Sequence, residues 1–358
     1  MVLLGSTGSI GVNTLKIAKK FGINVEVLSA GRNVNLLNSQ IEQFHPKYVV
    51  ISDKNLVNAV KHERVFWGEE GLVEVLNLAK SDLVVNALVG FAGLKPSIET
   101  MRLGKKLALA NKESLVVAGG LLDCSKIVPI DSEHFGLWYL LQSDKKIDSM
   151  QITASGGALR ETPLEKLPFI TPKEALKHPN WSMGAKITID SATMVNKLFE
   201  LLEARWLYNC EKLDALIEPK SLIHALIDFR DGSSTAHIAY ADMRLPIAYA
   251  VLGRVDEPIV PKVNLVEIGS LEFKEIDVGR YPMWEIKDDL LKNPAKGVVL
   301  NAVNEIAVRW FLDEKIGIME LAELNKEAYW HFGDVNPSSL DEIFEIDKEV
   351  REFVEFLR

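Results

Sequence analysis

Cysteine is scarce in this chain, with only Cys124 and Cys210 among 358 residues. Two cysteines so far apart make neither a disulfide framework nor a metal-spaced cluster, and a reducing compartment is expected. No apolar run approaches the roughly 20 residues that a bilayer-spanning helix needs, so no membrane association is expected. Positive charge is in deficit, 41 Lys and Arg against 50 Asp and Glu for a net charge of −9. That balance gives no global attraction for nucleic acid or anionic lipid, and any anionic ligand must be held by a local site. Internal repeats and low-complexity tracts are absent. Met1 leads directly into a strand and a glycine turn, with no signal or transit stretch, so a cytoplasmic protein is expected.

What is present reads as an α/β protein of more than one domain. A composition of 47% hydrophobic and 25% charged residues is that of a globular protein, and the length exceeds one ordinary core. Residues 1–4 are a short apolar run followed by Gly5-Ser-Thr-Gly8-Ser-Ile-Gly11 and then by a helical pattern through Leu15, Ile17, Ala18 and Phe21. Strand, glycine turn and helix in that order let a pyrophosphate approach the backbone at a helix N-terminus. A ligand-free glycine turn is the plainer alternative. Residues 25–29 read as the next strand, and after it an NAD site would carry Asp or Glu. Here the chain has Ser29-Ala-Gly31-Arg32-Asn33, which welcomes a 2′-phosphate and favours NADP.

Strands at 48–51, 83–87, 107–110 and 127–130 alternate with helices at 56–60, 69–79 and 94–103. This pattern predicts a Rossmann-like, doubly wound parallel sheet over 1–130. Lys112 follows a strand's carboxyl end, where such sheets bind ligands, although an ordinary surface lysine fits the composition equally well. The last strand runs into Asp131-Ser132-Glu133-His134. If the chain stays extended there, Asp131 and Glu133 point the same way, and with Glu200 they offer three oxygens to Mg2+ or Mn2+. The alternative is that Asp131 only caps a helix at 133–141.

Residues 131–255 read as a central α+β domain with a mixed sheet. A strand at 150–155 ends in Ser155-Gly156-Gly157, a second phosphate-type turn, and segments 222–229 and 235–240 flank a hairpin signal at Arg230-Asp-Gly-Ser-Ser234. Between them, 178–203 concentrates chemistry. Ser191, Asn196 and Lys197 suit an oxyanion and Glu200 suits a metal. A helix is expected to begin at Asp190 or Ser191 as N-cap, preceded by a Pro- and Gly-containing loop, His178 to Gly184, that can close over a ligand. Residues 256–281 read as a connector, and 282–358 as a helical bundle. In the bundle Val299, Val303, Ile306 and Trp310 line one face. A capping box at Ser339-x-x-Glu342 opens a last helix with Ile343, Ile346, Val350, Phe353 and Leu357 inward.

With these residues assembled, the chain resembles the 1-deoxy-D-xylulose 5-phosphate reductoisomerase family along essentially its whole length. The resemblance is carried by LGSTGSIG, AGRNV, LANKESLV, PIDSEH, TASGGALRET, HPNWSMG, DSATMVNK and NAVNE. It implies conversion of that sugar phosphate to 2-C-methyl-D-erythritol 4-phosphate with NADPH and Mg2+ or Mn2+, in the non-mevalonate route to isoprenoid precursors, by a homodimer joined through its central domain. Residue by residue, it implies a metal on Asp131, Glu133 and Glu200, and catalytic roles for Lys112, Glu133 and Glu200. Substrate contacts would come from Lys112, Ser132, Glu133, Ser155, His178, Ser191, Asn196, Lys197 and Glu200, with Trp181 and Met183 on the closing loop. Cofactor contacts would come from Thr7, Gly8, Ser9, Ile10, Gly31, Arg32, Asn33, Asn111, Glu113 and Gly184.

Three positions depart from the family pattern. The first strand is only four residues long, Arg32 stands where many relatives have Lys, and Leu198-Phe199 replaces the usual Gly-Leu ahead of Glu200. None removes a reactive group. The expected scheme is metal-assisted stabilisation of an enediolate-like charge during a carbon–carbon rearrangement, trapped by hydride. Lys112, Glu133 and a water on the ion are all admissible proton carriers. A plain NADP-dependent reductase and an inactive NADP-binding sensor are the alternative readings.

Overall fold

The structure is a computed structural model that describes residues 1–141 and 145–357. By packing, the chain forms two compact units. One comprises Met1–Ser114, Asp123–Ser132 and Asp242–Pro261; the other comprises Leu115–Leu122, Glu133–Ala241 and Lys262–Arg358. The sequence intervals 131–255 and 256–281 are thus each shared between the two units.

The first unit is built on seven strands: β1 (Val2–Leu4), β2 (Val27–Ala30), β3 (Tyr48–Ile51), β4 (Val65–Trp67), β5 (Leu83–Asn86), β6 (Lys106–Leu109) and β7 (Ile127–Pro129). Their order is β4-β3-β2-β1-β5-β6-β7, with every pairing parallel. The apolar runs form central strands because both faces are covered; Val2, Leu3 and Leu4 are wholly buried. After β1 the chain moves outward through β2 to β4 and then returns to the other side of β1. That reversal between β1 and β5 is the topological switch at which such sheets bind ligands. The helix expected at 56–60 is a 3-10 helix, Lys54–Ala59, opened by the Asp53 carboxylate, with Val60 already extended beyond its end. Strand β4 was not anticipated, because three residues are too few to display a period. A late segment completes this core. Helix Arg244–Leu252 packs on helix Ser9–Lys20, with Ile247 and Ala248 fully buried in the cluster that holds Leu3, Leu28 and Val49.

The second unit carries a mixed sheet of β8 (Ile147–Ala154), β9 (Leu213–Ile217), β10 (Ile223–Phe229) and β11 (Ser234–Ile238), in the order β11-β10-β8-β9. β8 and β9 run parallel, whereas β10 is antiparallel to both β8 and β11. The predicted hairpin is β10–β11, and its turn closes with Gly232 at φ +86°. Helix Gly297–Leu312 buries Val299, Val303, Ile306 and Trp310 as expected, and it packs against helices Ile318–His331 and Leu340–Phe356. At the last of these the expected capping box is only half present. Ser339 accepts from the Glu342 N–H, but the Glu342 carboxylate turns to Ser338. Its inward face is Ile343, Val350 and Val354; Ile346 and Phe353 are half-buried, and Leu357 lies past the helix end and is exposed.

Candidate active site

In the first unit, the turn after β1 is shaped by what cannot fit. Gly5 has φ +84°, and a Cβ there would stand 2.4 Å from the Ala87 carbonyl oxygen. At Gly11 a Cβ would meet the Gly5 carbonyl oxygen at 2.2 Å, so the helix can sit this close to the turn only with glycine. Gly8 differs: it is exposed, and the nearest atom to a Cβ there is 3.5 Å away. Its bare surface fronts helix Ser9–Lys20, which has no side-chain cap and no acidic residue in its first turn. That leaves backbone N–H groups and the positive dipole end for an anion. Thr7 and Ile10 are half-buried beside it and Ser9 is exposed.

The turn is tied to β2 and to the helix beyond it. The Gly5 N–H donates to Ser29 Oγ at 2.9 Å and the Ser6 N–H to the Ser29 carbonyl at 2.7 Å. Gln40 clasps Ser6 twice, its amide donating to the Ser6 carbonyl at 2.8 Å and its Oε1 accepting from Ser6 Oγ at 2.7 Å. Gln40 was invisible to motif reading, since it lies 34 residues from Ser6 on the inner face of helix Val34–Phe44. That helix starts directly after Gly31, Arg32 and Asn33, which are all exposed, and Asn33 spends its side-chain oxygen capping it through the Leu36 N–H.

Asn111 is buried, and its amide donates to the carbonyls of Leu88 and Gly90 and to Glu113. A Cβ on Gly93 would collide with that amide at 2.2 Å. The Asn111 side chain therefore braces the loop after β5. Lys112, 8% exposed, places its Nζ 3.4 Å from Asp131 Oδ2. The extended stretch expected at Asp131 and Glu133 does not form. A helix, Ser132–Leu140, begins one residue after Asp131, and Glu133 sits in its first turn.

In the second unit the residues expected at the phosphate, and Glu133 and Glu200 of the three expected at the metal, lie on a few elements. A single helix starting at Asp190 or Ser191 is not what forms. Helix Ala185–Thr193 already contains both residues, and a second helix, Val195–Tyr208, follows after Met194. Met194 takes φ +66°, a left-handed conformation that costs a non-glycine residue about 1 kcal/mol or more. Burial of its side chain against Leu201 and Ile152 offsets that cost. Lys197, 4% exposed, donates to Glu133 Oε1 at 3.0 Å, to Glu200 and to the Thr153 carbonyl at the end of β8. Asn196 donates to Glu200. Glu133 and Glu200 thus share one buried ammonium, the opposite charge that two close carboxylates require.

Beside them, the turn after β8 brings Ser155 to His178. Gly156 and Gly157 have φ +85° and +63°, and a Cβ on Gly157 would lie 2.7 Å from the Ser191 carbonyl oxygen, so this turn rests on the backbone of helix Ala185–Thr193. His178 Nδ1 accepts from the N–H groups of Asn180 and Trp181 at 3.2 and 2.9 Å, which puts the ring proton on Nε2. Nε2–H then donates to Ser155 Oγ at 2.9 Å, and the Gly157 N–H donates to the same oxygen at 3.0 Å. With two donors satisfied, the Ser155 hydroxyl proton is left to face an oxygen acceptor. Burial, followed by the charge of Arg160, lowers the His178 pKa to about 4 and keeps the ring neutral. Arg160, which lies in TASGGALRET but received no role from the sequence, fixes the turn through the carbonyls of Ser155 and Pro219. Residues 178–184 form a loop as expected. Trp181 packs edge-on to His224 at 6.2 Å, Met183 is half-buried, and Gly184 is exposed at the N-cap of the next helix.

These arrangements accompany extensive similarity to known proteins. The sequence model of 1-deoxy-D-xylulose 5-phosphate reductoisomerase matches residues 1–119, and models of that enzyme's C-terminal domains match residues 127–208 and 238–353. The enzymes of that name from Nautilia profundicola and Wolinella succinogenes are 55% and 54% identical to this chain, with 99% of each chain covered in both cases. Among solved structures, the Zymomonas mobilis enzyme in complex with NADPH superposes with a TM-score of 0.88 at 35% identity, covering 99% of this chain and 98% of that one. A second reductoisomerase structure, in complex with NADPH, fosmidomycin and magnesium, superposes with a TM-score of 0.90 at 33% identity, covering 99% of this chain and 97% of that one. The doubly wound sheet, the mixed sheet and this full-length similarity converge, and the chain belongs to the 1-deoxy-D-xylulose 5-phosphate reductoisomerase family.

Proposed function

We propose that this chain converts 1-deoxy-D-xylulose 5-phosphate to 2-C-methyl-D-erythritol 4-phosphate, using NADPH and a divalent ion, Mg2+ or Mn2+. The observation that carries this reading is Glu133 and Glu200 converging on Lys197 beside the Ser155–His178 pair, in a chain that also bears the bare glycine turn. Carboxylate oxygens are the hard ligands such ions prefer, and Asp131, Glu133 and Glu200 would hold the ion. When bound, the ion draws charge from the substrate's carbonyl and hydroxyl oxygens, and NADPH supplies the hydride.

The protein's own groups do the rest. Ser155, Ser191, Asn196 and Lys197 grip the phosphate, Lys197 by giving up one of its three bonds to Glu133, Glu200 and the Thr153 carbonyl, with His178 directing the Ser155 proton toward it. Phosphate binding away from the reacting carbons provides orientation. Trp181 and Met183, on the 178–184 loop, cover the substrate and exclude water. Ser132, Lys112 and Glu133 lie near the reacting oxygens, and Lys112 or Glu133 moves the proton. Thr7, Gly8, Ser9 and Ile10 receive the pyrophosphate; Gly31, Arg32 and Asn33 receive the 2′-phosphate. Asn111, Glu113 and Gly184 complete the cofactor contacts, Asn111 through its main chain because its side chain is engaged. The enzyme works in the cytoplasm as a homodimer joined through its central region.

The deciding assay follows NADPH oxidation with 1-deoxy-D-xylulose 5-phosphate, with Mg2+ and with chelator. Metal-dependent consumption that yields methylerythritol phosphate is expected. Glu200→Gln should lower turnover about a thousandfold, matching the several kcal/mol that a Lewis-acid ion contributes, while NADPH binding stays within twofold. Near-parent turnover in that variant would remove Glu200 from the site. Reduction of the rearranged aldehyde without use of the ketose would instead identify a plain reductase.

A further inference from the structure

The helix Ala185–Thr193 carries Ser191, yet its ends offer little to fix its rotation. Its N-cap, Gly184, contributes no side-chain bond, and its C-cap is the left-handed Met194. Ile189 and Ala192 seat it in an apolar cluster with Ala307, Val308 and Phe311, and a directional polar clamp lies one residue before Ser191. Asp190 is 2% exposed, and its two carboxylate oxygens are taken by groups from different elements. Lys186, one turn back on the same helix, donates to Oδ2 at 2.7 Å. Asn304, wholly buried on helix Gly297–Leu312, donates to Oδ1 at 2.7 Å across 114 residues of sequence. Asn304 is braced in turn by Asn325 from helix Ile318–His331, at 3.4 Å.

A carboxylate buried this deeply is stable only where its partners are, so it turns its helix until both bonds are made. Successive helical residues project about 100° apart, and Asp190 facing inward sets the adjacent, half-exposed Ser191. The Ser155–Gly157 turn rests on the same backbone.

We propose that Asp190, clamped by Asn304 and Lys186, is a positioning residue that sets Ser191 for the substrate phosphate, which makes helix Gly297–Leu312 a working part of the phosphate site. This rests on the assignment of Ser191 to that site. The clamp acts on ground-state binding of the phosphate group, so it moves the substrate KM more than kcat and leaves NADPH alone.

The test is a double-mutant cycle on the full-length enzyme with Asn304→Leu, Ser191→Ala and the pair, measuring substrate KM, NADPH KM, kcat and melting temperature. Each single change should raise substrate KM about tenfold with NADPH KM within twofold, and the pair should be no worse than about the larger single effect. If Asn304→Leu does not fold, Asn304→Ala, which is smaller and likewise lacks the donor, replaces it in the cycle. A lower melting temperature with parent substrate KM would overturn the proposal, because the clamp would then be structural only. Fully additive effects would overturn it too, by showing that Asn304 does not act through Ser191. Parent KM in Ser191→Ala would instead strike Ser191 from the phosphate site, and the inference would fall with that assignment.

Discussion

The glycine turn of the first unit and the serine-lysine cluster of the second are both suited to phosphate, yet they are built on opposite principles. The turn offers an anion main-chain N–H groups, and the sequence is constrained by what would collide; Gly5 and Gly11 tolerate no Cβ. At the cluster, side chains are held by other side chains and carbonyls, often from distant parts of the chain. Lys197 reaches Glu133 and Thr153 across 64 and 44 residues, and Asp190 reaches Asn304 across 114. A backbone site fails when an atom is added, whereas a side-chain site fails when one is removed.

The largest difference should appear at the two centres. Lys197→Ala removes a charge-assisted donor worth roughly 1.5–3 kcal/mol, so substrate KM should rise about 10–100-fold with NADPH affinity within twofold. Equal weakening of both ligands in steady-state kinetics would erase the distinction between the sites. Next, Gln40→Leu takes away the clasp on Ser6 without touching the turn's own atoms. NADPH Kd by fluorescence titration should rise about tenfold, corresponding to about 1.4 kcal/mol, with substrate KM unchanged. An unaltered NADPH Kd would show that the turn needs only its glycines.

The smallest effect concerns protons. Burial holds both His178 and His237 at about 4, below the ordinary histidine value of 6.5, with the charge of Arg160 adding at the first and that of His224 at the second. Because the folded pKa is depressed, the unfolded chain binds more protons between these values. Stability from this source is therefore complete above about pH 6.5 and is lost as pH falls toward 4. His178→Gln should make the decline of melting temperature between those pH values shallower, and His237 should retain the remainder. An unchanged slope would mean that His178 is not held neutral by the fold.

The same contrast explains what was legible in the sequence. The doubly wound sheet and its turn could be read because short apolar runs, glycines and helical periods are local signals. The hairpin was legible for the same reason. Gln40 was not, since it acts only through Ser6, 34 residues away, and nothing in its own neighbourhood marks it; Arg160 and Asn304 lie inside TASGGALRET and NAVNE, but the motifs do not say that they hold Pro219 and Asp190, 59 and 114 residues away. The break between the helices at Met194 was hidden because a left-handed methionine leaves no compositional trace; Gly or Asn would have. Leu357 followed the inward spacing but falls where the helix has already ended.

Helix Arg244–Leu252, whose Ile247 and Ala248 close the core around helix Ser9–Lys20, has a consequence for synthesis. The doubly wound sheet is translated first, but the apolar face that Ile247 and Ala248 cover has no partner until this late helix leaves the ribosome. At roughly 5–20 residues per second that delay is on the order of ten seconds, during which the unfinished unit exposes apolar surface that a chaperone would recognise. A fragment ending after β7 should consequently be prone to aggregation, and supplying residues 242–261 as a separate peptide should rescue it.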